Sequence, residues 1–212
     1  MASEYREPTR GEPAFEEIYS TAGDDLASIP WARLAPNPAL QEWLATLPAP
    51  QGAPAMVVAC GLGDDAEELA RRGYCVTAFD ISPTAIEQCR TRFPASAVDY
   101  LAADLFDLPV AWTKSFDLVV EIRTLQSLAP ELRGLAARAI ANTIAPGGRL
   151  FVRTAKRNPD EPLTSRPWPL TRDELKPFVD AGLTELELRE EPPLNERLPT
   201  FTALYQRPPS TT

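Results

Sequence analysis

The chain has 212 residues, 44% of them hydrophobic, with a formal net charge of −9 and no histidine at all. That length suits one α/β domain with a proper core and is too short for two ordinary ones. Without histidine, His-based triads, imidazole proton shuttles and most zinc sites are excluded, and no metal site is expected. An acidic balance with no run of lysines or arginines argues against a nucleic-acid partner.

The N-terminal sequence MASEYREPTR is polar throughout, so residues 1–13 read as a disordered tail without a signal peptide. No run of roughly 18 apolar residues suggests a membrane span, and a cytoplasmic protein is expected. Residues 14–54 read as a helical cap. Phe15 to Ser20 (FEEIYS) suits a short amphipathic helix, Ile29-Pro30-Trp31 follows, and a second helix is expected from about Pro38 to Leu47. Leu40, Trp43, Leu44 and Leu47 fall on one face of it. Such an addition either packs on a sheet or lies over the carboxyl ends of its strands, where ligands bind in α/β folds.

Met56 to Cys60 is apolar and β-branched enough for a buried strand. Gly61-Leu62-Gly63 is a turn where bare backbone can approach a ligand. Asp64 to Arg72 reads as a helix, with acids at its start, arginines near its end and Gly73 just past it. A strand from Tyr74 to Phe79 then ends at Asp80. The acid stands about 20 residues beyond the turn, the spacing of a nucleotide-binding βαβ unit. Taken alone, a G-x-G after a strand is also compatible with a plain tight turn. Cys60 and Cys75 fall inside expected buried strands and, like Cys89, form no C-x-x-C pair, which favours small core residues over redox or metal roles.

Ser82 and Pro83 open another helix, as N-cap and first residue, running to about Phe93. Short strands are expected at Tyr100–Ala103, before Asp104-Leu105, and at Phe116–Val120, ending at Glu121. A helix from Pro130 to Ile144 stops at Pro146-Gly147-Gly148, and a fifth strand covers Arg149–Arg153. The loop to Leu170 is proline-rich; 23 prolines in the chain stiffen its loops and ends. Thr171 caps a helix through Asp180. Two last strands, Thr184–Glu190 and Phe201–Gln206, alternate as edge strands do and pair antiparallel. The order predicts an α/β fold: a doubly wound, seven-stranded, mainly parallel sheet with an antiparallel C-terminal hairpin and an N-terminal helical cap. The main domain would cover residues 55–207, with a tail over 208–212.

With these elements placed, the chain resembles the Rossmann-like, S-adenosylmethionine-dependent methyltransferases of class I. The resemblance rests on Cys60-Gly61-Leu62-Gly63, Asp80, Asp104-Leu105 and Glu121 at strand ends, with Ala145-Pro146-Gly147-Gly148 behind them. It implies S-adenosylmethionine as cofactor and S-adenosylhomocysteine as product. By the same resemblance Ala59, Cys60, Gly61 and Gly63 pass under the methionine portion, Asp80 holds the ribose hydroxyls and Ile81 lies against the adenine. Asp104 takes the adenine amino group and the Leu105 amide a ring nitrogen, while Glu121, Ile122 and Trp31 complete the cofactor side. Pro30-Trp31, Pro36-Asn37-Pro38-Ala39-Leu40 and the segment Glu121 to Arg133 are similar, more narrowly, to the thiopurine, thiol and halide methyltransferases. That group methylates small nucleophiles. The chain departs from the usual first motif at Val57, where an acid is common, at Ala59, where glycine is, and at Asp64, where a third glycine often stands. The missing acid predicts weaker cofactor binding or a replacement from elsewhere.

Methyl transfer from a sulfonium is an in-line displacement that asks the protein to position the nucleophile and keep out water. A thiolate or halide needs no strong base, which suits a chain without histidine; an oxygen or amine acceptor needs one more often, and Glu121 is the best-placed carboxylate. Arg123 and Arg153 are candidates for an anionic acceptor, with a salt bridge to Glu121 or solvent exposure as the alternative. Trp31 and Trp168 would wall the acceptor site, while Trp43 and Trp112 read as packing. A small-molecule substrate and a monomer or homodimer are expected. A catalytically inactive binding or regulatory protein and an NAD-dependent oxidoreductase are the competing readings.

Overall fold

A computed structural model describes residues 12–163, 166–193 and 198–210. Its helices are α1 (Glu12–Ala22), α2 (Pro38–Leu44), α3 (Asp64–Arg71), α4 (Pro83–Arg92), α5 (Pro130–Thr143) and α6 (Lys176–Asp180). Its strands are β1 (Pro54–Val58), β2 (Cys75–Asp80), β3 (Asp99–Ala102), β4 (Phe116–Ile122), β5 (Ile144–Ala155), β6 (Thr184–Glu191) and β7 (Thr200–Gln206). They form one seven-stranded sheet in the order β3-β2-β1-β4-β5-β7-β6. Pairing is parallel from β3 to β5, and β7 runs antiparallel to both β5 and β6. This is the expected doubly wound sheet with an antiparallel end. Its switch point lies between β1 and β4, and the carboxyl ends of those strands are where α/β folds of this kind bind ligands.

Each face of the sheet is covered. Met56, Val58, Val119, Leu150 and Val152 pack against α5 and α6, whose Ile140 and Phe178 are fully buried. Ala55, Val57, Ala78, Val120 and Phe151 pack against α2, α3 and α4 through Leu40, Leu69 and Ile86. Such two-sided burial is why the parallel strands read as continuous apolar runs. A smaller cluster joins α1 to the glycine turn: Tyr19 and Ile29 pack with Leu62 and Ala85, and Trp31 lies against them.

The local signals are realised in the caps. Ser82 Oγ accepts the amide of Ala85, with Pro83 at the first helical position, and Asn37 caps α2 through the amide of Ala39. Thr171 and Glu174 form a reciprocal capping box.

Several expectations are corrected. Glu12 and Pro13 belong to α1, while the rest of the expected tail lies outside the described residues. The helix after Thr171 is a 3₁₀ turn, Arg172–Leu175, followed by α6; Pro177 has no amide hydrogen with which to continue one ladder through both. β5 begins at Ile144, so Pro146-Gly147-Gly148 is part of the strand. β7 is no edge strand: it is paired on both sides, and Thr200 through Tyr205 are all buried. Cys60 stands in the turn after β1 and is partly exposed, and Cys75 opens β2 and is exposed. Strand register placed both one or two positions outside the buried stretch. Among the described residues no helix is long and apolar enough to cross a membrane.

Candidate active site

The turn after β1 is built on left-handed backbone. Ala59, Gly61 and Gly63 have φ of 48°, 56° and 85°. Glycine takes such values freely, whereas at Ala59 the same geometry costs about 1 kcal/mol. Ala59, where the methyltransferases that the sequence resembles have glycine, therefore keeps a glycine-like backbone while carrying a methyl group. Val57 is buried in β1 between Ala78 and Val120, with no acid in its place.

Asp80 ends β2 and locks the turn in position. Its Oδ2 accepts the amide of Gly61 at 2.9 Å, and its Oδ1 accepts the amide of Ser82 at 3.0 Å. Burial raises its pKa above the ordinary carboxylate value, and the backbone amides of Ser82, Gly61 and Ile81 offset part of that rise. Ile81 follows it, partly exposed, between Asp80 and the N-cap of α4.

Over this turn lies α1. An added Cβ on Gly61 would sit 3.1 Å from the Tyr19 hydroxyl, so the bare backbone admits the tyrosine. Trp31 Nε1 donates to that hydroxyl at 3.0 Å, and the Trp31 ring meets Tyr19 and Phe15 edge-on, with centroids 5.8 and 5.7 Å away. Burial and the nearby Asp80 push the Tyr19 phenol upward, keeping it protonated. Glu16, one turn before Tyr19, accepts from Ser82 Oγ at 2.5 Å, from the Thr84 amide at 3.3 Å and from the Thr84 hydroxyl. These hydrogen bonds hold its carboxyl below the ordinary value. The cap thus closes on the start of α4 and on the glycine turn together.

The acids at the start of α3 are engaged within the chain. Asp64 pairs with Arg92 at 2.8 Å. Asp65 accepts the amide of Asn37 at 2.7 Å, and burial pushes its pKa up to about 6. At the end of β3, Asp104 Oδ1 accepts the amide of Phe106 at 2.8 Å and Leu105 is buried.

Glu121, near the end of β4, is fully buried. Its Oε1 accepts the amides of Thr124 at 2.6 Å and Leu125 at 3.1 Å, while Oε2 meets no hydrogen-bond partner among the described residues. Burial pushes its pKa up to about 7 against the backbone amides of Leu125 and Thr124, which favour the ionised form. Ile122 and Arg123 follow at the rim, partly exposed; Arg123 has φ of 68° and donates its amide to Arg153 O at 2.8 Å. The Arg153 guanidinium is buried and engaged by Glu191 and by Thr202 Oγ1. The ion pair that Arg153 makes here is with Glu191, in place of the Glu121 expected from the sequence.

Trp168 donates its amide to Gln126 O at 2.7 Å, just past the Glu121 turn, and its carbonyl accepts from Arg133 at 2.6 Å. Arg133, only 2% exposed, also donates to Leu125 O and pairs with Glu174. It ties α5, the turn after β4 and the loop before α6 into one unit. Trp31 and Trp168, from opposite ends of the chain, are brought into one cluster: the Arg166 guanidinium lies over Phe15 at 5.3 Å and over Trp168 at 5.0 Å, and Phe15 contacts Trp31. Trp43 stacks on Phe151, and Trp112 on Phe79, as packing residues. Tyr19, Glu16, Phe15, Arg133 and Arg166 were not singled out in the sequence. The one available signal was the FEEIYS helix, whose Phe15 and Tyr19 share a face at i, i+4. Among the described residues no group of three or more His, Cys, Asp or Glu could hold a metal ion.

Residues 55–148 match a family model described as a methyltransferase domain. Over 125 residues the chain is 35% identical to a ubiquinone biosynthesis O-methyltransferase of Xanthomonas axonopodis pv. citri, a match covering 58% of this chain and 52% of that protein. The chain spans about half the length of the curated relatives it matches. Its fold is similar to that of a solved protein described by the conversion of a disulfide bond into a thioacetal group during echinomycin biosynthesis, with a TM-score of 0.75, 21% identity, and 95% and 93% of the two chains covered. It is similar also to the Burkholderia thailandensis 1,6-didemethyltoxoflavin-N1-methyltransferase bound to S-adenosylhomocysteine, with a TM-score of 0.73, 18% identity, and 97% and 93% covered. The sequence match over residues 55–148 is to a methyltransferase domain, and the topology over nearly the whole chain is the α/β fold of these solved structures.

Proposed function

We propose that this chain, with its methyltransferase domain at residues 55–148, transfers the methyl group of S-adenosylmethionine to a small-molecule acceptor. The observation that carries this reading is the glycine turn bonded to Asp80, with Glu121 further along the same row of strand ends. The left-handed turn and the buried acid fit a nucleoside with an amino-acid tail. Ala59 to Gly63 would run beneath the methionine portion and Asp80 would hold the ribose. Ile81, Asp104 and Leu105 would frame the adenine, with Ile122 and Trp31 closing the site. The cofactor supplies an activated methyl group.

The residues of the chain position the acceptor and handle its proton. Glu121 has a carboxyl pushed up to about 7 and one oxygen without a partner, the properties of a base poised to take a proton from an acceptor hydroxyl. The O-methyltransferase relatives point the same way. A thiol or halide acceptor is the second reading. It is favoured by Trp31, which the N-terminal cap sets beside the glycine turn and which carries the resemblance to that narrower group. Such an acceptor would leave Glu121 a structural role.

Calorimetric titration with S-adenosylmethionine and S-adenosylhomocysteine tests the cofactor site, and a panel of catechols, thiols and iodide tests the acceptor. Micromolar binding at one site with methylated product supports the proposal. Binding without turnover of any acceptor would leave a cofactor-binding module, and no binding at millimolar ligand would sink the reading.

A further inference from the structure

Most of the arginines that flank the C-terminal side of the site are neutralised within the chain. Arg133 and Arg157 share Glu174, and Arg153 is engaged by Glu191. Arg166 differs. It is exposed, it lies over the rings of Phe15 and Trp168, and among the described residues no carboxylate is paired with it. Its two aromatic supports come from the two sides of the site. Phe15 leads through Trp31 and Tyr19 to the glycine turn. Trp168 hangs on Gln126, in the turn that holds Glu121.

A guanidinium held over aromatic faces keeps its charge and its N–H fork, and has lost part of its rotamer freedom before any ligand arrives. In a chain of net charge −9 the long-range field repels anions. A pre-positioned cation where the cap meets the C-terminal loop is then a device for taking a carboxylate, which matches the fork bidentately.

We infer that Arg166, held by Phe15 and Trp168, recognises a carboxylate on the methyl acceptor, so that the acceptor is a small acid. This rests on the methyltransferase reading above and narrows its substrate class. Arg166 acts in specificity and takes no part in the chemistry.

The test pairs two acceptors with one nucleophile, 3,4-dihydroxybenzoate and its methyl ester, on the full chain and on Arg166→Ala and Arg166→Lys. The acid should be preferred by about tenfold or more in kcat/KM. Arg166→Ala should abolish that preference, mainly through KM, while changing the ester and the affinity for S-adenosylhomocysteine by less than about twofold. Arg166→Lys should restore part of it, because it returns the charge without the fork. Equal use of acid and ester, or an equal loss on both in Arg166→Ala, would overturn the inference. Should neither compound be methylated, binding of the acid to the protein saturated with S-adenosylhomocysteine is read by calorimetry. Binding that depends on Arg166 upholds the inference; absence of binding refutes it and leaves the cofactor site standing. Failure to bind S-adenosylhomocysteine itself would instead refute the methyltransferase reading.

Discussion

Asp80 Oδ2 accepts the amide hydrogen of Gly61 at 2.9 Å, so the acid at the end of β2 and the glycine turn after β1 are one hydrogen-bonded unit. The carboxylate has two duties under the proposal: it fixes the turn, and it faces the ribose. Asp80→Ala should weaken binding of S-adenosylhomocysteine by about 1–3 kcal/mol, since charge-assisted hydrogen bonds are lost and the Gly61 amide is left without its acceptor. Calorimetry on folded variant protein checks this. Unchanged affinity would mean that the cofactor lies elsewhere.

Gly63 tests the packing behind the turn. Its φ is +85°, and an added Cβ would fall 2.5 Å from the Tyr100 hydroxyl and 3.0 Å from Cys89 Sγ. Gly63→Ala combines a disfavoured backbone with a steric clash and should destabilise the fold by about 2–4 kcal/mol. Tyr100→Phe removes the nearest atom at the expense of the hydrogen bond to Glu67. The two substitutions should therefore couple, the double variant losing less than the sum of the singles in urea unfolding. Strict additivity would show that the tyrosine moves aside.

The sheet was legible because it is written locally. Apolar runs at Ala55–Val58 and Leu118–Val120 sit between helices on both faces, and Ser82-Pro83 announces the start of α4 by chemistry within four residues. The strand-end acids were legible for the same reason, since each follows its own strand. What surrounds them was not. Glu16 reaches Ser82 across 66 residues of sequence, and Trp168 hangs on a carbonyl at Gln126. Nothing in the periodicity of FEEIYS says which element its acid will cap. Arg133 lies in a helix whose pattern puts an arginine on the solvent face, yet its donors are spent on Leu125 O, Trp168 O and Glu174. The interior position of β7 depends on the order of strands across the sheet, which alternation within a strand cannot disclose.

Glu16 is the fastening of the cap. Its hydrogen bonds to Ser82 and Thr84 join α1 to the first turn of α4. Glu16→Ala should remove about 1 kcal/mol of local stability, and amides of α1 should then exchange with solvent several-fold faster while those of β1 and β4 do not. Because the folded carboxyl titrates below its ordinary value of 4.5, this contribution is present at neutral pH and is lost as the pH falls below that value. Uniform acceleration across the sheet would show that the cap and core open together.

Glu121 links stability and turnover through one proton. Its carboxyl is moved from an ordinary 4.5 to about 7 by burial, so the folded chain binds more protons than the unfolded one between these limits. Stability must then fall as the pH rises through that window, by on the order of 3 kcal/mol in total, and Asp65, pushed up to about 6, adds in the same direction. Glu121→Gln keeps an oxygen for the Thr124 and Leu125 amides and carries no charge. It should be more stable than the parent at pH 8 and close to it at pH 5, as read by urea midpoints. Under the hydroxyl-acceptor proposal the same substitution should lower kcat/KM by about 10²-fold or more and abolish an acidic limb centred near pH 7. A thiol or halide acceptor gives a different split: the gain in stability at pH 8 persists, but turnover and its pH profile stay as they were. The stability measurement thus tests the buried proton, and the rate measurement tests whether the acceptor uses it.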